Sequence, residues 1–142
     1  MTSTIPPAQP DHRDAADIAR LRGFLAARPE VELAILVGSR ASGGARPESD
    51  WDIALRFTRH EHDLLAHCGR LETLRRELAA AIGRSEDAID LIDLPAARLA
   101  MRALVAEEGL PLKGEDSLAW GHFLTRTWRD LEDFYWEKTH AA

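Results

Sequence analysis

Apolar positions along the chain follow two spacings, one typical of helices and one typical of strands. Helical spacing, together with proline and glycine at segment ends, predicts four helices, over residues 13–28, 61–82, 96–108 and 117 to about 137. Short apolar or alternating runs predict three strands and an edge strand that tolerates proline, over residues 32–37, 51–57, 88–94 and 110–114. This order predicts an α/β (α+β) domain with helices packed on a small mixed β-sheet.

The composition fits one globular domain over residues 13–142 and excludes several classes of protein. The 142 residues are 45% apolar, and a formal net charge of −6 argues against a general nucleic-acid-binding protein, which needs a basic face. One cysteine, Cys68, excludes an internal disulfide framework and suits the reducing cytoplasm. No apolar run approaches the roughly 18 residues of a membrane helix, so no membrane contact is expected. Residues 1–12 are polar and proline-rich and predict a disordered leader.

The sequence GSRASGGARPESDWD, residues 38–52, directly follows the apolar run LAILV and carries the candidate chemistry. Glycine at the end of a strand lets the backbone approach an anion closely, and serine adds a hydroxyl donor. If a helix begins near residue 39, its free N–H groups favour an anion at the same place. Gly38 and Ser39 therefore predict a phosphate-binding turn, and Arg40 is near enough to contact the phosphate.

Asp50 and Asp52 lie two residues apart at the start of the second predicted strand. This spacing directs both carboxylates to one face and Trp51, between them, to the other face and into the core. Two nearby carboxylates repel each other unless a cation lies between them. Mg²⁺ prefers oxygen ligands and is often held by one or two carboxylates together with substrate phosphates. The two aspartates therefore predict a metal site beside the phosphate-binding turn.

A third carboxylate on the next strand would complete a site for two metal ions. The sequence IDLID, residues 89–93, offers two candidates. Asp90 lies between apolar residues, where a carboxylate is costly unless it is paired or bound to metal. Asp93 lies on the opposite face by strand alternation, so Asp90 is the preferred ligand and Asp93 the weaker candidate.

The spacing of these residues is similar to the nucleotidyltransferase signature of the DNA polymerase β superfamily, which is G-S-x-x-x-G, five residues, then S-D-x-D. The matching residues are Gly38, Ser39, Gly43, Ser49, Asp50 and Asp52, and Asp90 corresponds to the third carboxylate of that family. The length and the order of elements resemble the minimal nucleotidyltransferases. Many of these are the antitoxin half of HEPN–MNT toxin–antitoxin pairs.

The resemblance implies a nucleotidyltransferase fold and transfer of AMP from ATP, with Mg²⁺, to a tyrosine of a HEPN toxin, a ribonuclease that is thereby silenced. It implies nucleotide or phosphate contacts by Gly38, Ser39, Gly43 and Ser49, and metal binding and catalysis by the three aspartates. A hetero-oligomer with the toxin in the cytoplasm is expected. Two alternatives stay open: a small-molecule adenylyltransferase of the aminoglycoside type, and an antitoxin that acts by binding alone.

Aromatic residues concentrate in the last predicted helix, residues 117–138. Six of the chain's nine aromatic residues lie within residues 120–136, and three of them are consecutive. Core packing explains part of this stripe, but one helix face cannot bury three consecutive side chains. Tyrosine and tryptophan are frequent anchors of protein interfaces. The predicted partner-binding residues are Trp128, Phe134, Tyr135 and Trp136.

The histidines and the cysteine in the middle of the chain are assigned no chemistry. His67 and Cys68 are neighbours in a helix and do not share a face, so both are interpreted as ordinary helix residues. His60 and His62 are interpreted as surface residues at a helix start.

Overall fold

The computed structural model describes residues 8–141, which contain five α-helices and four β-strands. The helices are α1 (Ala15–Ala26), α2 (Ser39–Ser42), α3 (Leu64–Ala81), α4 (Leu99–Glu108) and α5 (Leu118–His140). The strands are β1 (Val31–Val37), β2 (Trp51–Phe57), β3 (Ile89–Asp93) and β4 (Leu110–Lys113). Each predicted helix and strand is present, and the predicted mixed α/β class is confirmed. The additions are α2 and short 3₁₀ turns, which span too few residues to give a periodic signal.

The four strands form one mixed sheet in the order β3-β2-β1-β4. β1 pairs antiparallel with β2 and β4, whereas β2 pairs in parallel with β3. β4 is the edge strand expected from its proline, since Pro111 has no N–H to give to a second neighbour. The chain reaches β3 from β2 through α3, the crossover that a parallel pair requires. The first residues of β2 therefore lie between the last residues of β1 and the first residues of β3.

Helices bury both faces of the sheet. α1 and α3 cover one face, and Trp51 is completely buried there, as the sequence predicted. α4 and the first half of α5 cover the other face, where Leu33, Ile35 and Val105 are completely buried. Alternation along β2 therefore directs Asp52 to the face of α4 and α5, away from Trp51.

Residues 8–12 pack against the loop between α2 and β2, which corrects this part of the predicted disordered leader. Residues 1–7 of that leader lie outside the described residues. Asp11 accepts the N–H of Arg13 at 2.9 Å and begins the 3₁₀ turn His12–Asp14. A Cβ added to Gly43 would collide with the carbonyl oxygen of Gln9. Residues 8–12 therefore contact the folded unit, because a glycine in the loop leaves space for their backbone.

The helix α5 has a packed half and an exposed half. Ser117 accepts the N–H of Trp120 at 3.2 Å and caps the helix start, and Trp120 and Phe123 pack on the sheet. Residues 132–140 are all exposed. The predicted partner-binding aromatics are exposed too, and their role stays a prediction: Trp128, Phe134, Tyr135 and Trp136. Neither α5 nor any other helix within residues 8–141 combines the length and apolarity needed to cross a membrane.

Candidate active site

Gly38 ends β1 in a backbone conformation that favours glycine. Its φ is 76° and its ψ is −158°. A Cβ at this position would lie 2.7 Å from Oδ2 of Asp52, because β1 and β2 pair Val37 with Asp52. The backbone of the predicted phosphate-binding turn is therefore in direct contact with one of the predicted metal-binding carboxylates.

The short helix α2 begins directly after Gly38, which meets the condition set above for N–H groups that favour an anion. The N–H groups of Ala41 and Ser42 donate to the Gly38 carbonyl oxygen at 3.1 and 3.2 Å. The N–H groups of the first helical residues, Ser39 and Arg40, have no acceptor within the helix. The turn can thus offer backbone donors to an anion, next to the Asp52 carboxylate.

Three carboxylates lie around this turn. The parallel pairing of β2 and β3 sets Asp52 directly opposite Asp90, so both side chains leave the sheet on the same face. Asp50 is the residue directly before β2, two positions ahead of Asp52. Burial of the Asp52 side chain, and then the negative charges of Asp90 and Asp50, raise the pKa of Asp52. The three acids therefore interact electrostatically.

These carboxylates fit Mg²⁺ as part of a larger ligand set. Within residues 8–141, no three His, Cys, Asp or Glu side chains converge closely enough to hold a metal ion by themselves. Asp50 and Asp90 are exposed and Asp52 is half-buried, so the acids border open space and do not form a closed cage. Mg²⁺ usually takes one or two carboxylates and completes its shell with water and substrate phosphates. This open set of oxygen ligands suits that arrangement, and a cation would relieve the repulsion that raises the pKa of Asp52.

Arg40 supports the loop between α2 and β2, and its predicted contact with phosphate is wrong. The residue is 3% exposed and forms a buried ion pair with Asp14 at 3.0 Å. Its guanidinium also donates to the carbonyl oxygens of Pro47 and Ser49, at 3.0 to 3.3 Å. It lies over the ring of Trp51, 4.8 Å from the ring centroid. Protein oxygens therefore engage this side chain, which holds the loop leading into Asp50.

Arg84 is a second support of the same loop, and sequence reasoning missed it. It donates to the Pro47 carbonyl oxygen and to the Asp17 carboxylate on α1, both at 3.3 Å. Its guanidinium carbon lies 5.9 Å from the centroid of Trp51. No local pattern could have identified Arg84 or Asp14, because they contact residues 37 and 26 positions away in the chain.

Gly43 and Ser49 shape the loop from within. Gly43 has φ 90° and ends α2 in the left-handed region, and the Gln9 carbonyl group occupies the space beside it. Gly43 thus has a packing role beside Gln9, and its predicted phosphate contact stays a prediction. Ser49 Oγ accepts the N–H of Arg46 at 2.9 Å, which closes a turn, and its predicted nucleotide contact stays a prediction.

Asp93 lies apart from the other three aspartates. It is paired in register with Leu55, and its Oδ2 lies 2.8 Å from Nε2 of His67 on α3. His67, interpreted from the sequence as an ordinary helix residue, is thus a partner for this carboxylate. The structure supports the sequence preference for Asp90 over Asp93 as the neighbour of Asp52.

A family model and solved structures relate this chain to known proteins. The model for polymerase beta nucleotidyltransferases matches residues 20–117, which is more than half of the chain. Among curated protein sequences, none matches this chain.

Solved toxin–antitoxin structures are similar over most of the chain. A toxin–antitoxin crystal structure with AMP-PNP has 25% sequence identity and a TM-score of 0.62, covering 87% of this chain and 91% of that chain. A rebuilt structure of tri-AMPylated Shewanella oneidensis HEPN toxin in complex with MNT antitoxin has 22% identity and a TM-score of 0.60, with 89% and 92% coverage. A crystal structure of the toxin–antitoxin MntA-HepT has 23% identity and a TM-score of 0.58, with 88% and 92% coverage.

At 22% and 23% identity, the latter two structures show the fold alone. With the family model matched across the sheet and the turn, this chain belongs to the polymerase beta nucleotidyltransferase family.

Proposed function

We propose that this chain transfers AMP from ATP, with Mg²⁺, to a tyrosine hydroxyl of a HEPN-family ribonuclease toxin and thereby silences the toxin. One observation carries the proposal: Gly38 contacts Asp52, which is paired directly with Asp90. A glycine turn suited to phosphate thus lies beside three acids suited to a divalent cation. Phosphoryl and nucleotidyl transfer depend mainly on such positioning and charge neutralisation.

Each residue at this site has an assigned role in the proposal. Gly38 and Ser39 contact the β- and γ-phosphates. The residues that would hold Mg²⁺ are Asp50, Asp52 and Asp90, and the bound ion supplies positive charge to the phosphate oxygens. The tyrosine oxygen forms a bond to the α-phosphorus while the bond to the pyrophosphate oxygen breaks. Asp90, exposed on the edge strand, is the group assigned to accept the hydroxyl proton.

Two observations support a protein acceptor over a small molecule. The similar solved structures concern a toxin–antitoxin with AMP-PNP and an AMPylated HEPN toxin with its MNT antitoxin, and this chain covers 91% and 92% of the matched chains. After β3 the described chain adds only a 3₁₀ turn, α4, β4 and α5, which pack on the sheet. Within the described residues, these elements form no separate substrate-binding domain of the aminoglycoside type.

The proposed toxin-binding surface is the exposed half of α5, defined by Trp128, Phe134, Tyr135 and Trp136. These side chains are 40–62% exposed, which is unusual for large aromatics unless a partner covers them. Truncation before Trp128 would also remove Asp130, which accepts two hydrogen bonds from Arg102 at 2.9 Å. The triple change Phe134→Ala, Tyr135→Ala and Trp136→Ala is therefore the sharper test. We expect it to weaken toxin binding by about tenfold or more while the thermal midpoint stays unchanged.

The decisive experiment combines the purified chain, ATP, Mg²⁺ and the protein product of the adjacent gene. Intact-mass spectrometry of that partner should show the gain of one or more AMP units. Tandem mass spectrometry should place the modification on tyrosine. An unchanged partner mass, with the partner nevertheless bound and folded, would contradict the proposed reaction.

A matched pair of variants separates catalysis from binding. Asp52→Asn removes the central carboxylate, whereas Asp116→Asn makes the same chemical change at an exposed position before α5. We expect Asp52→Asn to bind toxin without modifying it, and Asp116→Asn to behave as the natural chain does. If the ribonuclease is fully silenced by Asp52→Asn, the antitoxin acts by binding alone and the enzymatic account of silencing fails.

A further inference from the structure

A cavity of about 810 Å³ lies at the end of the sheet where β2 and β3 finish. Its wall includes Arg56, which follows Asp52 by four residues along β2. Because a strand rises about 3.3 Å per residue, the two residues are roughly 13 Å apart. The loop after β2, the start of α3 and the first half of α5 complete the wall. The cavity is therefore separate from the three carboxylates at the opposite end of the sheet.

The lining of this cavity is strongly basic although the chain as a whole is acidic. Five arginines and four of the chain's six histidines line it, against two carboxylates, Glu61 and Asp93. Asp93 already accepts a contact from His67 at 2.8 Å, and Glu61 accepts the N–H of Asp63 at 3.0 Å. The acids in the wall are thus engaged by the protein.

Two of the wall arginines are also compensated, by acids that lie outside the wall. Arg56 pairs with Glu32 at 3.3 Å, and Arg102 pairs with Asp130 at 2.9 Å. Among the described residues, the positive charge left in the wall is therefore that of Arg59, Arg70 and, in part, Arg126.

Arg70 on α3 is held in place by the protein around it. It donates to the carbonyl oxygen of Arg59 at 3.0 Å, and its guanidinium carbon lies 3.7 Å from the ring centroid of Phe57. Its Nε is buried and has no hydrogen-bond partner in the described part of the chain. Across residues 8–141, no carboxylate lies within ion-pair distance of Arg70. A held, partly buried cation that has no carboxylate partner is stabilised when an anion binds beside it.

Arg59 and Arg126 add exposed charge at the border of the cavity. Arg126 lies 3.9 Å from Asp130, but that carboxylate already accepts two shorter hydrogen bonds from Arg102. Arginine presents several N–H donors in a plane, which suits the oxygens of a phosphate group.

The remaining wall is apolar and aromatic. Phe57, Leu94 and Phe123 line the cavity beside the cations. A volume of about 810 Å³ is in the range typical of sites for small organic ligands and is far larger than a single inorganic phosphate needs. The ligand expected from this wall therefore has a flat or apolar part as well as a negative group.

We propose that this cavity is a second ligand site, which binds an organic phosphate of about the size of a mononucleotide. The phosphate contacts Arg70, Arg59 and Arg126, and the organic part packs against Phe57 and Phe123. The site does not depend on the proposed AMP transfer, because none of its residues belongs to the glycine turn or to the three carboxylates.

An NMR titration with AMP, in EDTA so that no divalent cation is present, tests the site by position. We expect backbone amide shifts to move at residues 58–62, 67 and 70, around the cavity. Shifts confined to residues 38–43 and 50–52 would mean that AMP enters only the catalytic turn and would overturn the proposal. Adenosine or inorganic phosphate that binds as tightly as AMP would also overturn it, because the site needs both parts of the ligand.

A double variant tests the charges. Arg59→Ser with Arg126→Ser removes two cavity cations, whereas Arg20→Ser with Arg129→Ser removes two exposed arginines elsewhere. Loss of charged hydrogen bonds should weaken AMP binding by about tenfold or more in the first variant only. Equal affinity in the two variants, with unchanged thermal midpoints, would contradict the proposal. Toxin modification assayed in parallel shows separately whether the catalytic turn works.

Discussion

The two ends of the sheet carry opposite charge. At one end Asp50, Asp52 and Asp90 surround the glycine turn, and at the other end arginines and histidines line the cavity. The net charge of −6 describes neither end. It rightly argues against a generally basic surface, but it conceals a local site that favours anions.

The two ends also differ in how the chain builds them. The acidic end follows from strand register, since pairing alone sets Asp52 beside Asp90 and Gly38. The basic end is assembled from the loop after β2, from α3 and from α5, which are far apart in the sequence. The acidic end can therefore be predicted from spacing, whereas the basic end depends on helix packing that spacing does not specify.

The largest expected effect separates activity from stability at the acidic end. Asp52→Asn should reduce AMP transfer on the order of 10³-fold, because it removes a proposed metal ligand and the charge that orients the phosphates. The same change should leave the thermal midpoint unchanged or higher without metal, since it removes repulsion from Asp90 and Asp50. Enzyme assays and thermal melts of one preparation measure both. A lower midpoint together with lower activity would instead indicate a structural role.

The second prediction concerns the buried support of the acidic end. Arg40→Gln leaves the Asp14 carboxylate buried without its cation and frees the loop carbonyl oxygens, so it should cost about 3 kcal/mol of unfolding free energy. Asp14→Asn with Arg40→Gln should cost less than the sum of the two single changes. Denaturant unfolding of the four proteins measures this coupling. Additive costs would show that the pair does not stabilise the loop as a unit.

The third prediction compares two glycines with positive φ. Gly38→Ala places a methyl group against Oδ2 of Asp52, whereas Gly83→Ala meets no atom within 4 Å. Both should lose about 1 kcal/mol or more from backbone strain. Only Gly38→Ala displaces the carboxylate, and it should lower AMP transfer by about 10²-fold. Equal activities in the two variants would argue against a catalytic role for the contact between Gly38 and Asp52.

The fold was predictable from the sequence because its elements have strong local signals. Apolar runs, proline and glycine marked each strand and every long helix, including the edge strand with Pro111. The leader was predicted less well, since the contact between Gln9 and Gly43 joins two segments that have no common local pattern.

The candidate site was predictable as far as its chemistry lies in one motif. Gly38, Asp50 and Asp52 could be singled out by their spacing, and the structure brings them together. Asp90 lies outside the motif and was chosen for its place in an apolar strand, and strand pairing sets it opposite Asp52. Arg40 could not be assigned, because a conspicuous arginine in a loop looks the same in sequence whether it contacts solvent, phosphate or a buried acid. Only the tertiary contact with Asp14 decides between these environments.

The smallest expected effect tests the boundary between the two ends with two aspartates of the same strand. Asp93→Asn weakens the contact with His67, which is partly exposed, so it should cost about 1 kcal/mol or less of unfolding free energy. Because Asp93 lies on the other face and toward the basic end, AMP transfer should change less than about twofold, within the usual range for a surface substitution. Asp90→Asn, three residues earlier, should instead abolish most transfer with little change in stability. If Asp93→Asn lost activity as Asp90→Asn does, the two ends of the sheet would not be functionally separate. Comparing AMP transfer by Asp90→Asn and by Asp93→Asn therefore tests whether catalysis depends on one face of β3 and not on the other.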